Sequence, residues 1–82
     1  MKKDFKIVYF FAKWDGNYET HETCREVCEA RGWKMRSIDC ETRRGVEESI
    51  KYNVKLCPYI IVYDHNKEIM RGIANNILDE LL

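Results

Sequence analysis

The sequence shows few of the features expected of an exported protein, a membrane protein or a nucleic-acid-binding protein. Its 14 basic and 14 acidic residues give a formal net charge of zero, which excludes the basic surface expected of a nucleic-acid or membrane-surface binder. No apolar run reaches transmembrane length, and no apolar stretch of signal-peptide length follows Lys2 and Lys3. We therefore expect a cytoplasmic protein with neither a nucleic-acid nor a membrane partner.

Proline is also scarce, since Pro58 is the only one, and the sequence shows no repeats, linkers or low-complexity segments. We therefore expect one domain over residues 1–82. Four cysteines would suit the disulfide framework of a small secreted protein. Because no export signal is recognised, free thiols in a reducing compartment are the expectation.

Two runs of β-branched and aromatic residues are the strongest structural signals. Ile7 to Ala12 and Tyr59 to Tyr63 are continuous rather than alternating, which is typical of central strands covered on both faces. The predicted elements are a strand over 5–12, a helix ending near 30, an edge strand over 34–39, a helix over 43–52, strands over 59–63 and 67–71, and a short last helix. This βαβαββα order predicts an α/β fold with a four-stranded mixed sheet, in strand order 2-1-3-4, flanked by helices.

Local signals predict how the elements begin, end and pack. The predicted N-caps are Asp15 or Asn17 for the first helix, Thr42 for the second and Asn75 for the third. The predicted stops and turns are Gly32, Asn53, the segment 64–66 and Gly72. The predicted buried faces are Cys24, Val27 and Cys28 with Ala30 or Arg31 in the first helix, Val46 and Ile50 in the second, and Ile77, Leu78, Leu81 and Leu82 in the third.

Two segments carry a resemblance to a known superfamily. Phe10-Phe11-Ala12-Lys13-Trp14 ends the first core strand, and Val54-Lys55-Leu56-Cys57-Pro58-Tyr59-Ile60-Ile61-Val62-Tyr63 is a proline loop followed by a strand. On these residues the chain resembles the thioredoxin and glutaredoxin superfamily, over almost its whole length. The resemblance implies a minimal thioredoxin-like fold with a cis peptide bond before Pro58.

The residues that carry the family's chemistry are different here. The family's active site is Trp-Cys-Gly-Pro-Cys, but Asp15 stands at the first cysteine position and Tyr18 at the second. By the same resemblance, Tyr9 occupies the position of a buried acid, and Met35 lies near that of a basic partner. The defining dithiol is missing. Asp15 is then either a fixed anion or a simple helix cap, and Tyr18 either turns outward or, as we favour, fills space under the proline loop.

The first hypothesis is a redox-inactive, non-catalytic module that binds a protein or peptide and needs no cofactor. In family members the residue before the proline presents its backbone to peptides as a strand edge. The predicted binding surface consists of Trp14, Asp15, Gly16, Asn17 and Tyr18, together with Cys57, Pro58 and Tyr59.

Two alternatives stay open, and both use cysteine. The protein is a thiol-disulfide oxidoreductase or redox sensor if Cys57 is reactive, alone or with another cysteine brought close by motion. It is a metal-binding domain if the ligands are His21, Cys24 and Cys28, with Cys40 as a fourth. Against the metal site, Cys24 and Cys28 lie on the only apolar stripe of their helix, where core packing is the simpler role.

Overall fold

The computed structural model describes residues 4–16 and 18–82, and for Asp15 the backbone alone. Its elements are β1 (Phe5–Phe11), a 3₁₀ turn (Lys13–Asp15), α1 (Tyr18–Arg31), β2 (Lys34–Asp39), α2 (Arg43–Lys51), β3 (Tyr59–Asp64), β4 (Lys67–Ile73) and α3 (Ala74–Leu81). The predicted βαβαββα order is confirmed. Within the described ranges, none of the helices has the length and apolar character needed to cross a membrane.

The four strands form one sheet in the order β2-β1-β3-β4, as predicted. β1 runs parallel to β2 and antiparallel to β3, and β4 runs antiparallel to β3. β1 is covered on both faces, because Ile7, Val8, Tyr9 and Phe10 are all fully buried. The continuous apolar run therefore marks a central strand, as expected.

Successive residues of β1 point to opposite faces of the sheet and so belong to two separate clusters. The first core cluster lies on the face of α1 and α3 and consists of Phe5, Ile7, Tyr9, Cys24, Cys28, Ile60, Val62, Ala74, Ile77, Leu78 and Leu81. The second core cluster lies on the other face and consists of Val8, Phe10, Ile38, Val54 and Ile61. Tyr52, at the end of α2, packs edge-on against Phe10 of the second core cluster.

Several predicted turn and cap residues hold the predicted positions. Gly32, with φ of 70°, follows α1, and Asn53, with φ of 57°, follows α2. Both residues adopt the left-handed conformation that ends helices. His65 and Asn66 also have positive φ values, 52° and 67°, and form the two-residue turn between β3 and β4. Thr42 is the N-cap of α2, where its hydroxyl accepts a 2.9 Å hydrogen bond from the Gly45 amide.

The buried face of α2 is not the predicted one. Val46 and Ile50 are 48% and 75% exposed. The helix instead turns Gly45 toward the sheet, where a Cβ would overlap the carbonyl oxygen of Asp39 at the end of β2. Because only glycine allows this approach, the backbone contact sets the rotation of the helix. The prediction from the spacing of the two apolar residues is wrong.

The last strand and helix also differ from the prediction at their junction. Gly72 does not end β4, because it pairs with Ile60 inside the ladder and the strand continues to Ile73. α3 then begins directly, with Ile73 at its N-cap, so Asn75 lies inside the helix rather than capping it. Leu82 follows the last turn of the helix and is 67% exposed. The other three residues of the predicted apolar face, Ile77, Leu78 and Leu81, are buried.

Candidate functional site

The turn between β1 and α1 exposes two large aromatic side chains. Trp14 and Tyr18 are each 72% exposed. Between them the backbone turns at Gly16, whose φ of 70° is a conformation that glycine adopts without steric cost. Large aromatic rings normally bury most of their surface, so two of them exposed at one turn suit a contact surface.

The expected filling role of Tyr18 is wrong, because its side chain is exposed, and the buried aromatic contact at the start of α1 comes from His21 instead. The His21 ring is buried over the end of β1, where it stacks on Tyr9 at 4.6 Å and on Phe11 at 4.9 Å between ring centroids. Its Nε2 lies 2.9 Å from the Ser37 hydroxyl oxygen, which fixes the ring further. The His21 ring, one turn further along α1, is therefore buried, whereas the Tyr18 ring lies at the surface.

The proline loop reaches the same end of the sheet. The peptide bond between Cys57 and Pro58 is cis. Pro58 is buried, and its carbonyl oxygen accepts a 3.1 Å hydrogen bond from the Ala74 amide at the start of α3. Around it, Leu56 is 58% exposed, while Cys57 and Tyr59 are half-buried. The proline is therefore an anchor, and its neighbours supply the accessible surface.

A third segment, the junction of β4 and α3, lies at the same end of the sheet and was not predicted from the sequence. Ile73 is 45% exposed there and pairs with Tyr59, which in turn pairs with Phe10 near the end of β1. The Thr20 hydroxyl of α1 donates a 2.8 Å hydrogen bond to the Asn75 side-chain oxygen. The three segments are thus tied together by hydrogen bonds and strand pairing. An apolar residue at a strand-to-helix junction was the only signal in the sequence, and it is a weak one.

A groove of about 450 Å³ opens beside the first turn of α1. The residues that line it are Phe11, Ala12, Lys13, Gly16, Tyr18, His21, Glu22 and Arg25. Glu22 and Arg25 form a 3.0 Å ion pair on its wall. The groove combines an aromatic floor with charged walls, a combination that suits a peptide with both apolar and polar side chains.

Cys40 and Cys57 are in contact at this end of the sheet. The Cys57 thiol donates to the Cys40 sulfur across 2.8 Å, although the two residues are 17 positions apart in sequence. Both cysteines are half-buried and pack on the second core cluster. Cys57 thus has a thiol partner without any movement of the chain, and the sequence contained no signal for that pairing.

The three weak metal-ligand candidates lie on the other face of the sheet. His21, Cys24 and Cys28 are all buried, and both cysteines belong to the first core cluster. A hydrogen bond with Cys28 and burial both raise the pKa of the Cys24 thiol. Within the described part of the chain, no group of three His, Cys, Asp or Glu residues could hold a metal ion. Cys40, the suggested fourth ligand, packs on the opposite face.

Two of the predicted site residues fall outside what the structure describes. Asn17 is not among the described residues, and neither is the side chain of Asp15. The alternatives for Asp15, a fixed anion or a helix cap, therefore stay predictions, as does an N-cap role for Asn17.

Comparisons with known proteins bear on the fold. No family model and no curated protein matches the chain. Thioredoxin from Fasciola hepatica matches with a TM-score of 0.80 and 24% identity, over 98% of this chain and 79% of that one. Thioredoxin O2 from Arabidopsis thaliana, in its oxidised state, matches with a TM-score of 0.79 and 13% identity, over 96% and 73%. Thioredoxin f2 in a complex with ferredoxin:thioredoxin reductase matches with a TM-score of 0.78 and 12% identity, over 96% of this chain and 76% of that one. At these identities the likeness shows the fold alone, which is the minimal thioredoxin fold.

Proposed function

We propose that this thioredoxin-fold chain is a non-catalytic module that binds an extended segment of a protein or peptide. The binding surface consists of the exposed turn before α1, the loop around Pro58 and the junction at Ile73. We propose no cofactor. A cytoplasmic location remains part of the proposal, and it depends on the sequence alone.

The observation that carries this proposal is the exposure of Trp14 and Tyr18, 72% each, on a turn anchored to rigid elements. Tryptophan and tyrosine dominate the binding energy of protein interfaces, because each buries a large area with few rotatable bonds. Leu56 and Ile73 add exposed apolar surface at the same end of the sheet. The groove of about 450 Å³ beside Tyr18 offers room for a side chain of the partner.

The residue types at the turn support a binding role rather than dithiol chemistry there. Asp15 and Tyr18 stand where the thioredoxin pattern has its two cysteines, and neither side chain can form a mixed disulfide. Tyr9, at the position of the buried acid, is fully buried and stacked on His21, and a phenol is a poor proton acceptor near neutral pH. One observation favours the alternative of thiol-disulfide activity at Cys57, namely its contact with Cys40.

The experiment is a selection of random linear 12-residue peptides on the immobilised protein, followed by fluorescence anisotropy with the synthesised, labelled peptides. Trp14→Ala and Tyr18→Ala should each weaken binding of the selected peptides by about tenfold or more. The matched control is Ile50→Ala, which removes a 75% exposed apolar side chain from α2, outside the proposed surface. That variant should bind as tightly as the wild type.

Two results would contradict the proposal. The first is that no peptide is enriched over an unrelated control protein. The second is that the selected peptides bind Trp14→Ala and Tyr18→Ala as tightly as the wild type. Circular dichroism spectra of the variants should match that of the wild type, because both side chains lie on the surface.

A further inference from the structure

We propose that Cys40 and Cys57 together form a dithiol that exchanges with small-molecule disulfides and closes into an internal disulfide bond. This site does not use the Trp14 and Tyr18 turn, and the inference holds whether or not the chain binds peptides. The two reactive cysteines lie at the end of β2 and in the proline loop, and not at the start of α1.

The short distance between the two sulfur atoms supports this proposal. They lie 2.8 Å apart, and a covalent S–S bond is about 2.05 Å, so bond formation needs only a small displacement. The backbone on both sides is held in place. The Cys40 amide donates a 2.8 Å hydrogen bond to the Phe11 carbonyl, and Pro58, next to Cys57, accepts one from Ala74. The contact therefore joins two anchored segments rather than two loose loops.

Accessibility separates this pair from the other two cysteines. Cys40 and Cys57 are half-buried, whereas Cys24 and Cys28 are only 1% and 3% exposed. Next to Cys57 in the proline loop, Leu56 is 58% exposed. Both cysteines pack on the second core cluster without being fully buried. Reactive cysteines need such partial exposure, while buried ones are inert.

The chemistry is ordinary thiol-disulfide exchange, and the oxidant is a small-molecule disulfide such as oxidised glutathione. The Cys57 thiolate attacks one sulfur of that disulfide, whose S–S bond breaks and releases one thiol after protonation. The Cys40 thiolate then attacks the Cys57 sulfur in the mixed disulfide and releases the second thiol. In total, the two cysteines give up two electrons and two protons, and the oxidant becomes two thiols.

Peptide mapping tests this directly, because trypsin leaves each cysteine on a different fragment. Cleavage after lysine and arginine gives fragments 14–25, 26–31, 37–43 and 56–67, with one cysteine each. The reduced protein is incubated with oxidised glutathione, its remaining thiols are alkylated, and the digest is analysed by mass spectrometry. We expect fragment 37–43 joined to fragment 56–67, with the other two alkylated. In Cys40→Ser, glutathione should instead accumulate on Cys57, since no second thiol resolves the mixed disulfide.

Thermal unfolding of the oxidised and the reduced protein provides a second measurement. The oxidised wild type should unfold on the order of 10 °C above the reduced protein, because the bond closes a loop of 17 residues. Cys40→Ser and Cys40→Ala should show no such difference, and either one suffices if the other folds poorly. The proposal is overturned if fragments 37–43 and 56–67 are never joined, or if each cysteine simply acquires its own glutathione.

The outcomes for this site and for peptide binding can be told apart. Cys40→Ser should abolish the internal disulfide and leave the affinity for selected peptides unchanged. Trp14→Ala and Tyr18→Ala should weaken peptide binding and leave disulfide formation unchanged.

Discussion

Gly45→Ala is the substitution for which the structure predicts the largest effect from a single methyl group. A Cβ at Gly45 would overlap the Asp39 carbonyl oxygen, lie 2.6 Å from the Asp39 carbonyl carbon and lie 3.0 Å from the Thr42 hydroxyl. Two of these atoms are backbone at the end of β2, so they cannot rotate away. The first turn of α2 has to move off the sheet.

The magnitude follows from three opposing contributions. Forcing an extra methyl group into a packed site costs about 1–3 kcal/mol. Moving the helix breaks the hydrogen bond by which Thr42 caps the Gly45 amide, at a cost of about 1 kcal/mol. In return, alanine is favoured over glycine inside a helix by about 1 kcal/mol. The net expectation is a loss of about 2 kcal/mol in the free energy of unfolding.

Chemical denaturation followed by circular dichroism measures this loss, and thermal unfolding should show a fall on the order of 10 °C. The matched control is Gly72→Ala in β4, where a Cβ would meet the flexible end of the Ile77 side chain at 3.2 Å. That variant should stay within about 1 kcal/mol of the wild type. If Gly45→Ala is as stable as the wild type or more so, helix propensity outweighs the backbone contact and our account of the rotation of α2 is refuted.

Three further substitutions test the packing beside the site and an ion pair on β4. His21→Ala should lower the free energy of unfolding by about 2–4 kcal/mol, because it removes the ring that stacks on Tyr9. Ser37→Ala removes only the hydrogen bond to that ring and should lower the free energy of unfolding by about 1 kcal/mol. Equal losses for the two variants in denaturant titrations would contradict a stabilising role of the stacking. The hydrogen bond from Arg71 lowers the pKa of Glu68, so its stabilisation is present at neutral pH and is lost as the pH falls through the lowered value. The stability difference between wild type and Glu68→Gln should therefore shrink between about pH 7 and about pH 3, and a constant difference would count against the pairing.

Most of the fold could be predicted because its signals are local. The two continuous apolar runs identify β1 and β3, and Thr42, Asn53 and Gly32 mark helix ends through their own backbone or hydroxyl chemistry. The crossover rule makes β1 and β2 parallel, and the structure agrees both with this and with the predicted strand order 2-1-3-4. At the site, exposure of Trp14 could not be read from its type, but its position after the first core strand already suggested a surface role.

The features that could not be predicted from the sequence depend on contacts between residues that are far apart in the chain. Val46 and Ile50 have the spacing of a buried face, yet the backbone of Asp39 decides the rotation of α2 through Gly45. The exposure of Tyr18 likewise could not be predicted from its residue type.

The sequence by itself determined the order of the elements, the central strands and the absence of cysteine from the turn before α1, since each depends on residue types close together in the chain. Only the tertiary structure decided which thiols meet. Cys40 follows β2 and Cys57 precedes β3, two strands that are not neighbours in the sheet, and they come together because both chain segments end beside the same end of β1. A contact across 17 residues leaves no periodic pattern in the sequence, because it depends on how strands and loops are stacked in space.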